Sequence, residues 1–286
     1  MVSTYHQSDR GHTLRTGAPK EAGGAILRAM STLPTVTPPP PPPSGGGGTI
    51  DFGRGFRFVF DDADWIKKVL IGGGMMILGV FIIGAFWLMG YWVRLVQRVA
   101  RGEERPMPEW DDWGGLLAEG LRPVGIYFAY LFGALFPIVI VFVGVVFVGG
   151  SLSHMAHDSG DSGAIGGLMG LVIMGLYGLM WLFMMALMVY LPAALTRYAL
   201  TSRFGAAFEV MENLRFIRRN ALNYVLTLLL YMIGSFAAQF GVFLCCIGMF
   251  PVSFWAMCLL GWGLGETARL DGARAGLESA SAGLRL

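Results

Sequence analysis

Four groups of residues in this chain have the types and spacing for chemistry. His154-x-x-His157, with Asp158 and Asp161, offers two imidazoles one helical turn apart and two carboxylates, a donor set suited to a divalent cation. Its Ser and Gly neighbours read instead as a solvated outer turn. Glu109, Asp111 and Asp112 crowd three carboxylates into four residues, enough for a cation or a general acid and base pair. Acidic residues at a helix start complement its dipole, which explains the group more simply. Adjacent Cys245 and Cys246 suggest a redox pair or a lipidation site, but nothing beside them would lower a thiol pKa, and burial is the plainer reading. Met174, Met180, Met184, Met185 and Met188 suit a soft-metal path, although methionine is more often adaptable apolar filling. No catalytic, cofactor-binding or metal-binding residue is assigned from these groups, and no cofactor is expected.

The elements that carry them are set by composition. Of 286 residues, 55% are apolar and 14% charged, whereas soluble chains carry about 25% charge. Most of the chain is expected in lipid. A formal net charge of +2, with charges clustered at the ends of apolar runs, argues against nucleic acid as a partner. The three cysteines, Cys245, Cys246 and Cys258, lie in apolar sequence and make no disulfide framework.

Residues 1–49 are polar and end in Pro38–Pro43 and Gly45–Gly48, which reads as a disordered tail and linker. No signal peptide is expected, because a basic region followed by a compact apolar core is missing. Residues 50–68 mix Phe56, Phe58, Phe60 and Trp65 with Asp61, Asp62, Asp64, Lys67 and Lys68, and suit the headgroup layer. Apolar runs follow over 69–93, 124–149, 164–195 and 224–264. The last, as one helix of ~60 Å, would be twice the ~30 Å hydrocarbon core. It must turn near Cys245–Pro251, giving spans near 224–244 and 249–264. The predicted fold is therefore an all-α polytopic transmembrane bundle over 69–266 with about five spans, followed by a tail over 267–286.

Arginine and lysine accumulate in short cytoplasmic loops. Arg94, Arg98, Arg101, Arg105 and Arg122 mark one such loop, and Arg197, Arg203, Arg215, Arg218 and Arg219 another; 151–162 has neither residue type and should face outward. The C-terminus, with Arg269, Arg274 and Arg285, then falls on the cytoplasmic side. The side of the N-terminus stays open. A full first span puts Arg54, Arg57, Lys67 and Lys68 outside, against the same rule, unless 69–93 is broken or re-entrant at its glycines.

An internal similarity favours the full span. Leu95-Val-Gln-Arg-Val-Ala and Leu195-Thr-Arg-Tyr-Ala-Leu each lead through an amphipathic helix into another span. Trp110, Trp113, Leu117 and Leu121 form one apolar stripe; Phe204, Phe208, Met211 and Leu214 form the other. Both helices are expected at the cytoplasmic surface. The interfacial residues singled out are Trp110, Asp111, Asp112, Trp113, Arg94, Arg98 and Arg219, with Asp111 or Asp112 expected to pair with an arginine. Gln239, Ser235, Ala237 and Ala238 suit close helix contacts.

The run Gly102-Glu-Glu-Arg-Pro-Met-Pro-Glu-Trp-Asp-Asp-Trp-Gly114, preceded by Gly90-Tyr-Trp-Val-Arg94 and Asp64-Trp-Ile-Lys-Lys-Val-Leu-Ile-Gly-Gly73, resembles the prokaryotic membrane-protein family known as domain of unknown function 4013. Arg197-Tyr-Ala, Phe204-Gly-Ala-Ala-Phe208, Ile217-Arg-Arg-Asn220 and Leu244-Cys-Cys-Ile-Gly248 also fit, so the resemblance runs from about Phe56 to Glu266. It implies an uncharacterised multi-pass membrane protein with no assigned activity and no catalytic residues to carry over. Apolar runs without Asp, Glu, Lys, Arg or His lack the groups that relay protons and ions. A non-enzymatic scaffold or assembly module of the cytoplasmic membrane is the expected function, with membrane lipids and other membrane proteins as partners. The alternative is a transporter or lipid-handling permease.

Overall fold

A computed structural model describes residues 48–157, 162–243 and 247–283. By contacts the chain divides into Met1–Ser44 and Gly45–Leu286, and only the second is treated below. The expected tail up to residue 47, Asp158, Asp161, Cys245, Cys246 and Arg285 lie outside the described residues.

The described residues are all-α. Asp51 accepts a hydrogen bond from the Arg54 N–H (3.0 Å) and starts α1, Phe52–Arg57. The first apolar run then forms two helices rather than one, α2 (Trp65–Gly79) and α3 (Ile83–Ala100). The chain turns between them at Ile82, whose φ of 69° is left-handed, a conformation rare for a β-branched residue. Gly84 then lies where a Cβ would overlap the Met75 carbonyl, so the two backbones meet without a side chain between them. The first apolar run, read as a full span or as an element broken near its glycines, is broken: 15 and 18 residues make helices of about 22 and 27 Å, folded back as a hairpin. Glycines that a straight helix would merely tolerate here form the contact.

α3 is closed off by Gly102, two residues past its end, with φ +79°. The Gly102 N–H donates to the Val99 carbonyl (2.9 Å) and the Glu103 N–H to the Arg98 carbonyl (3.1 Å), a Schellman closure that favours glycine at the left-handed position. An extended strap follows, and α4 (Trp113–His157) begins as a helix of 45 residues, about 68 Å long. The amphipathic stretch and the second apolar run are therefore continuous, with Pro123 and Pro137 inside the helix. His154 and His157 fall in its last turn rather than in a loop. α5 (Ser162–Thr201) returns beside it. A 3-10 turn (Phe204–Phe208) and α6 (Val210–Arg219) form the second amphipathic stretch, with Phe204, Phe208, Met211 and Leu214 exposed. α7 (Ala221–Phe240), a 3-10 turn (Gly241–Phe243) and α8 (Met249–Gly283) complete the order.

α3 and α8 are central. Tyr91, Leu95, Phe254, Cys258, Leu259 and Trp262 are buried between α2, the strap and α8. On the other side Trp92, Val96, Ile126, Leu191, Tyr224 and Leu264 join α3, α4, α5, α7 and α8. Backbones again come close where α3 crosses α4: a Cβ on Gly90 would overlap the Leu116 carbonyl, and one on Gly120 the Phe86 carbonyl. Among the described residues three helical hairpins result, α2–α3, α4–α5 and α7–α8, and their charged ends gather at one pole. There the Gln97 amide donates to the Ala199 carbonyl (2.7 Å) and Arg219 meets Asp271 at 3.2 Å. Asn223 donates to the Gly48 carbonyl (2.8 Å) and accepts from the Ile50 N–H (3.2 Å), while Arg274 also holds the Gly48 carbonyl.

Among the described residues, three helices are long and apolar enough to cross a membrane, over Trp113–Ser151, Gly167–Thr201 and Ala221–Phe240. Residues 249–264 form the half of α8 that is packed into the centre.

Candidate functional site

The strap between α3 and α4 organises the charged pole. Pro106, Met107 and Pro108 are buried, and the two prolines bring no backbone N–H that would need a partner there. The Met107 carbonyl accepts from Lys68 Nζ and from Arg98 Nη1, both at 3.3 Å. Lys68 is itself buried, its Nζ 2.7 Å from Asp62 Oδ2 and 2.5 Å from Glu109 Oε1. In the segment expected to lie in the headgroup layer, the Lys68 side chain is sealed under the strap. The ammonium donates to Asp62 and to the Met107 carbonyl and has the Glu109 carboxylate beside it, the paired and hydrogen-bonded condition under which a buried charge is tolerated.

Trp110 is also inside. Expected on the surface stripe, it precedes the helix, donates from Nε1 to the Lys68 carbonyl (3.2 Å), and stacks on Tyr91 with centroids 4.6 Å apart. Such a stack contributes about 0.5–1.5 kcal/mol beyond area burial. Trp113, 42% exposed, keeps the outward position and accepts from Trp87 Nε1 at its carbonyl (3.0 Å).

Asp112 Oδ1 accepts from the Gly115 N–H (2.9 Å) and so caps α4, while its Oδ2 accepts from Arg94 Nη2 (2.7 Å). The Arg94 guanidinium, with the backbone N–H of Gly115, holds the Asp112 carboxyl below its usual range. Arg94 also binds Glu119 through two nitrogens, at 2.7 and 3.0 Å. Asp111 is exposed and accepts from the Asp112 N–H (2.9 Å). The three carboxylates read as a cation or acid–base group are thus committed separately: Glu109 to Lys68, Asp112 to Arg94, and Asp111 to a backbone amide. Arg94, Arg98, Trp110, Asp112 and Trp113 are brought together. Arg219 stands apart, with α8.

The second unit follows a similar plan. Arg197, near the end of α5, lies 2.8 Å from Glu209 and 3.7 Å from Glu212 at the start of α6. Behind it, Tyr130 Oη donates to the Ala207 carbonyl (2.8 Å), and Asn213 Nδ2 donates to that carbonyl (2.7 Å) and to Tyr190 Oη (2.8 Å). Sequence reasoning missed Lys68, Asp62 and Glu119 as members of the first site, and Glu209, Glu212, Tyr130, Tyr190 and Asn213 in the second. Glu119 had a signal, because it follows Asp112 by seven residues, two helical turns on the same face.

A groove of about 780 Å³ lies on the other side of α3, walled by α5 and α7. Met184 and Met188 line it, whereas Met174 and Met185 are exposed elsewhere on α5, so the methionines make no single donor set. Ser235 and Gln239, expected to join helices, line the groove as well.

No curated protein and no solved structure matches the chain. A family model described as "Protein of unknown function (DUF4013)" matches residues 74–247. The Asp64–Gly73 run of the resemblance lies before that match, while the Gly102–Gly114 signature, which forms the strap and the cap of α4, lies inside it. With more than half of its 286 residues matched, this chain belongs to the DUF4013 family.

Proposed function

We propose that this chain is a non-enzymatic scaffold of the prokaryotic cytoplasmic membrane, whose α4–α5 hairpin receives apolar helices of other membrane proteins. The observation that carries the reading is the bareness of that hairpin. None of the most apolar window of either helix is buried. Past Tyr130 and Tyr190 the two helices touch one another, through Phe142 and Tyr177 (centroids 4.9 Å), while Phe136, Phe147, Leu171 and Trp181 stand exposed. Open apolar surface of this extent marks a membrane or partner-binding element. Gly133, Gly144, Gly170 and Gly178 have nothing within 4 Å of a built Cβ, and small residues of this kind let a further helix approach closely in lipid. The Lys68 and Arg94 clusters supply the rigid base from which such an arm extends.

The same reading assigns the charged pole to the cytoplasmic side, following its arginines. Because α2–α3 leaves that pole and returns to it, Arg54, Arg57, Lys67 and Lys68 join the other basic residues on one side, and the conflict of a full first span is removed.

The test uses the full chain in native membranes, with a photoreactive residue at Trp181 or Phe147 and, as control, at exposed Glu104 on the charged pole. The expected result is one adduct of defined polypeptide mass from the arm positions and none from Glu104. Adducts to lipid alone at both arm positions would refute the scaffold.

A further inference from the structure

The groove between α5 and α7 differs from the bare arm, because it is walled and has a floor. We infer that it holds one acyl chain of a membrane phospholipid, taken sideways from the leaflet nearest the α7–α8 turn. Its floor is made of buried Trp92, Leu191, Leu195 and Ala256. Exposed Tyr127, Met188 and Gln239 rim it. Both walls belong to helices long and apolar enough to cross a membrane, so the mouth opens towards lipid.

Three observations select the occupant. The described residues lining the groove include no Asp, Glu, Lys, Arg or His. A free fatty acid would therefore find no counter-charge for its carboxylate, and a hydrated ion would lose its water without an opposite charge to replace it. The groove runs along α5 from Met184 to Leu195 and along α7 from Leu228 to Gln239, about 16 Å in each case at ~1.5 Å per residue. That is close to half of the ~30 Å hydrocarbon core, the depth of one leaflet. Finally, among its uncharged polar residues Ser235, Gln239 and Ser253 gather at the C-terminal end of α7 and the start of α8, with Tyr127 and Tyr231 also in the lining. Hydroxyl and amide donors there suit the ester carbonyls at the top of a phospholipid chain, which accept hydrogen bonds and carry no charge. Below them a flexible chain with methionine walls restores dispersion contacts that an empty groove would forfeit.

The experiment places the full chain in nanodiscs of phosphatidylethanolamine and phosphatidylglycerol. The probe is phosphatidylglycerol with a diazirine on one acyl chain, and adducts are mapped by residue. The expected result is labelling of Met184, Met257 and Ser235 in the groove above that of outward-facing Met232 and Phe236 on the same α7. Ser235→Trp, which fills the groove, abolishes the groove adducts, and Met232→Trp leaves them unchanged. Should Ser235→Trp fail to fold, the wild-type map decides alone. Labelling of Met232 and Phe236 equal to that of the groove overturns the inference, as does preferential labelling by a diazirine palmitate or recovery of a polypeptide adduct in the groove.

Discussion

Lys67 and Lys68 are chemically identical neighbours, yet one is exposed and the other sealed under the strap. Their difference is a 100° turn of helix combined with the later position of Met107 and Glu109, and no local property of the sequence contains the second part. Removing one partner of a buried ion pair costs roughly 3–5 kcal/mol, because the other charge is stranded, whereas replacing the pair is far milder. Lys68→Met alone should therefore lower the thermal midpoint in detergent strongly, and Lys68→Met with Asp62→Asn should recover most of the loss. Equal midpoints for the single and double variants would show that the ammonium carries no such role. The residues singled out from sequence fared according to how local their roles were. Asp112 caps the helix that its own neighbours form, so its place was legible. Trp110 is directed inward by Tyr91, nineteen residues earlier on α3.

Elements were easier to foresee than their joins. Apolar runs and charge punctuation mark out α4, α5 and α7, but the break at Ile82 depends on which glycine faces find a partner. Gly120 lies against the Phe86 carbonyl, while Gly133 on the same helix has open space. Both read alike in the sequence. Gly120→Leu should force α4 away from α3 and cause a large loss of thermal stability in detergent, since overpacking costs typically ~1–3 kcal/mol even where side chains can yield. Gly133→Leu should stay within about 0.5 kcal/mol of wild type. A stable Gly120→Leu protein would mean that the helices separate without penalty.

At the scale of the whole molecule, the charged pole makes the topology testable. The Thr49 side chain is exposed beside the Gly48 carbonyl held by Asn223 and Arg274, and Ser151 is exposed near the far end of α4. In a background without native cysteines, an impermeant maleimide applied to intact cells should label Ser151→Cys and spare Thr49→Cys until the membrane is opened. Labelling of Thr49→Cys in intact cells would restore a full first crossing. The charge rule had already exposed the difficulty at the first run; the return of α3 beside α2 is a feature that hydropathy along the chain does not register.

The way α8 fills α2 has a consequence for the order of assembly. A Cβ on Gly72 would run into the Phe254 ring, and one on Gly73 into Pro251, so the earliest long helix is fitted to residues made some 180 positions later. Lys68 likewise waits for Met107 and Glu109. During synthesis the α2 face that receives α8 thus stays unmet until the last helix is made, while α3 already has the strap and α4 beside it. Whatever shelters that face meanwhile is as much a condition of this fold as any contact in its finished core.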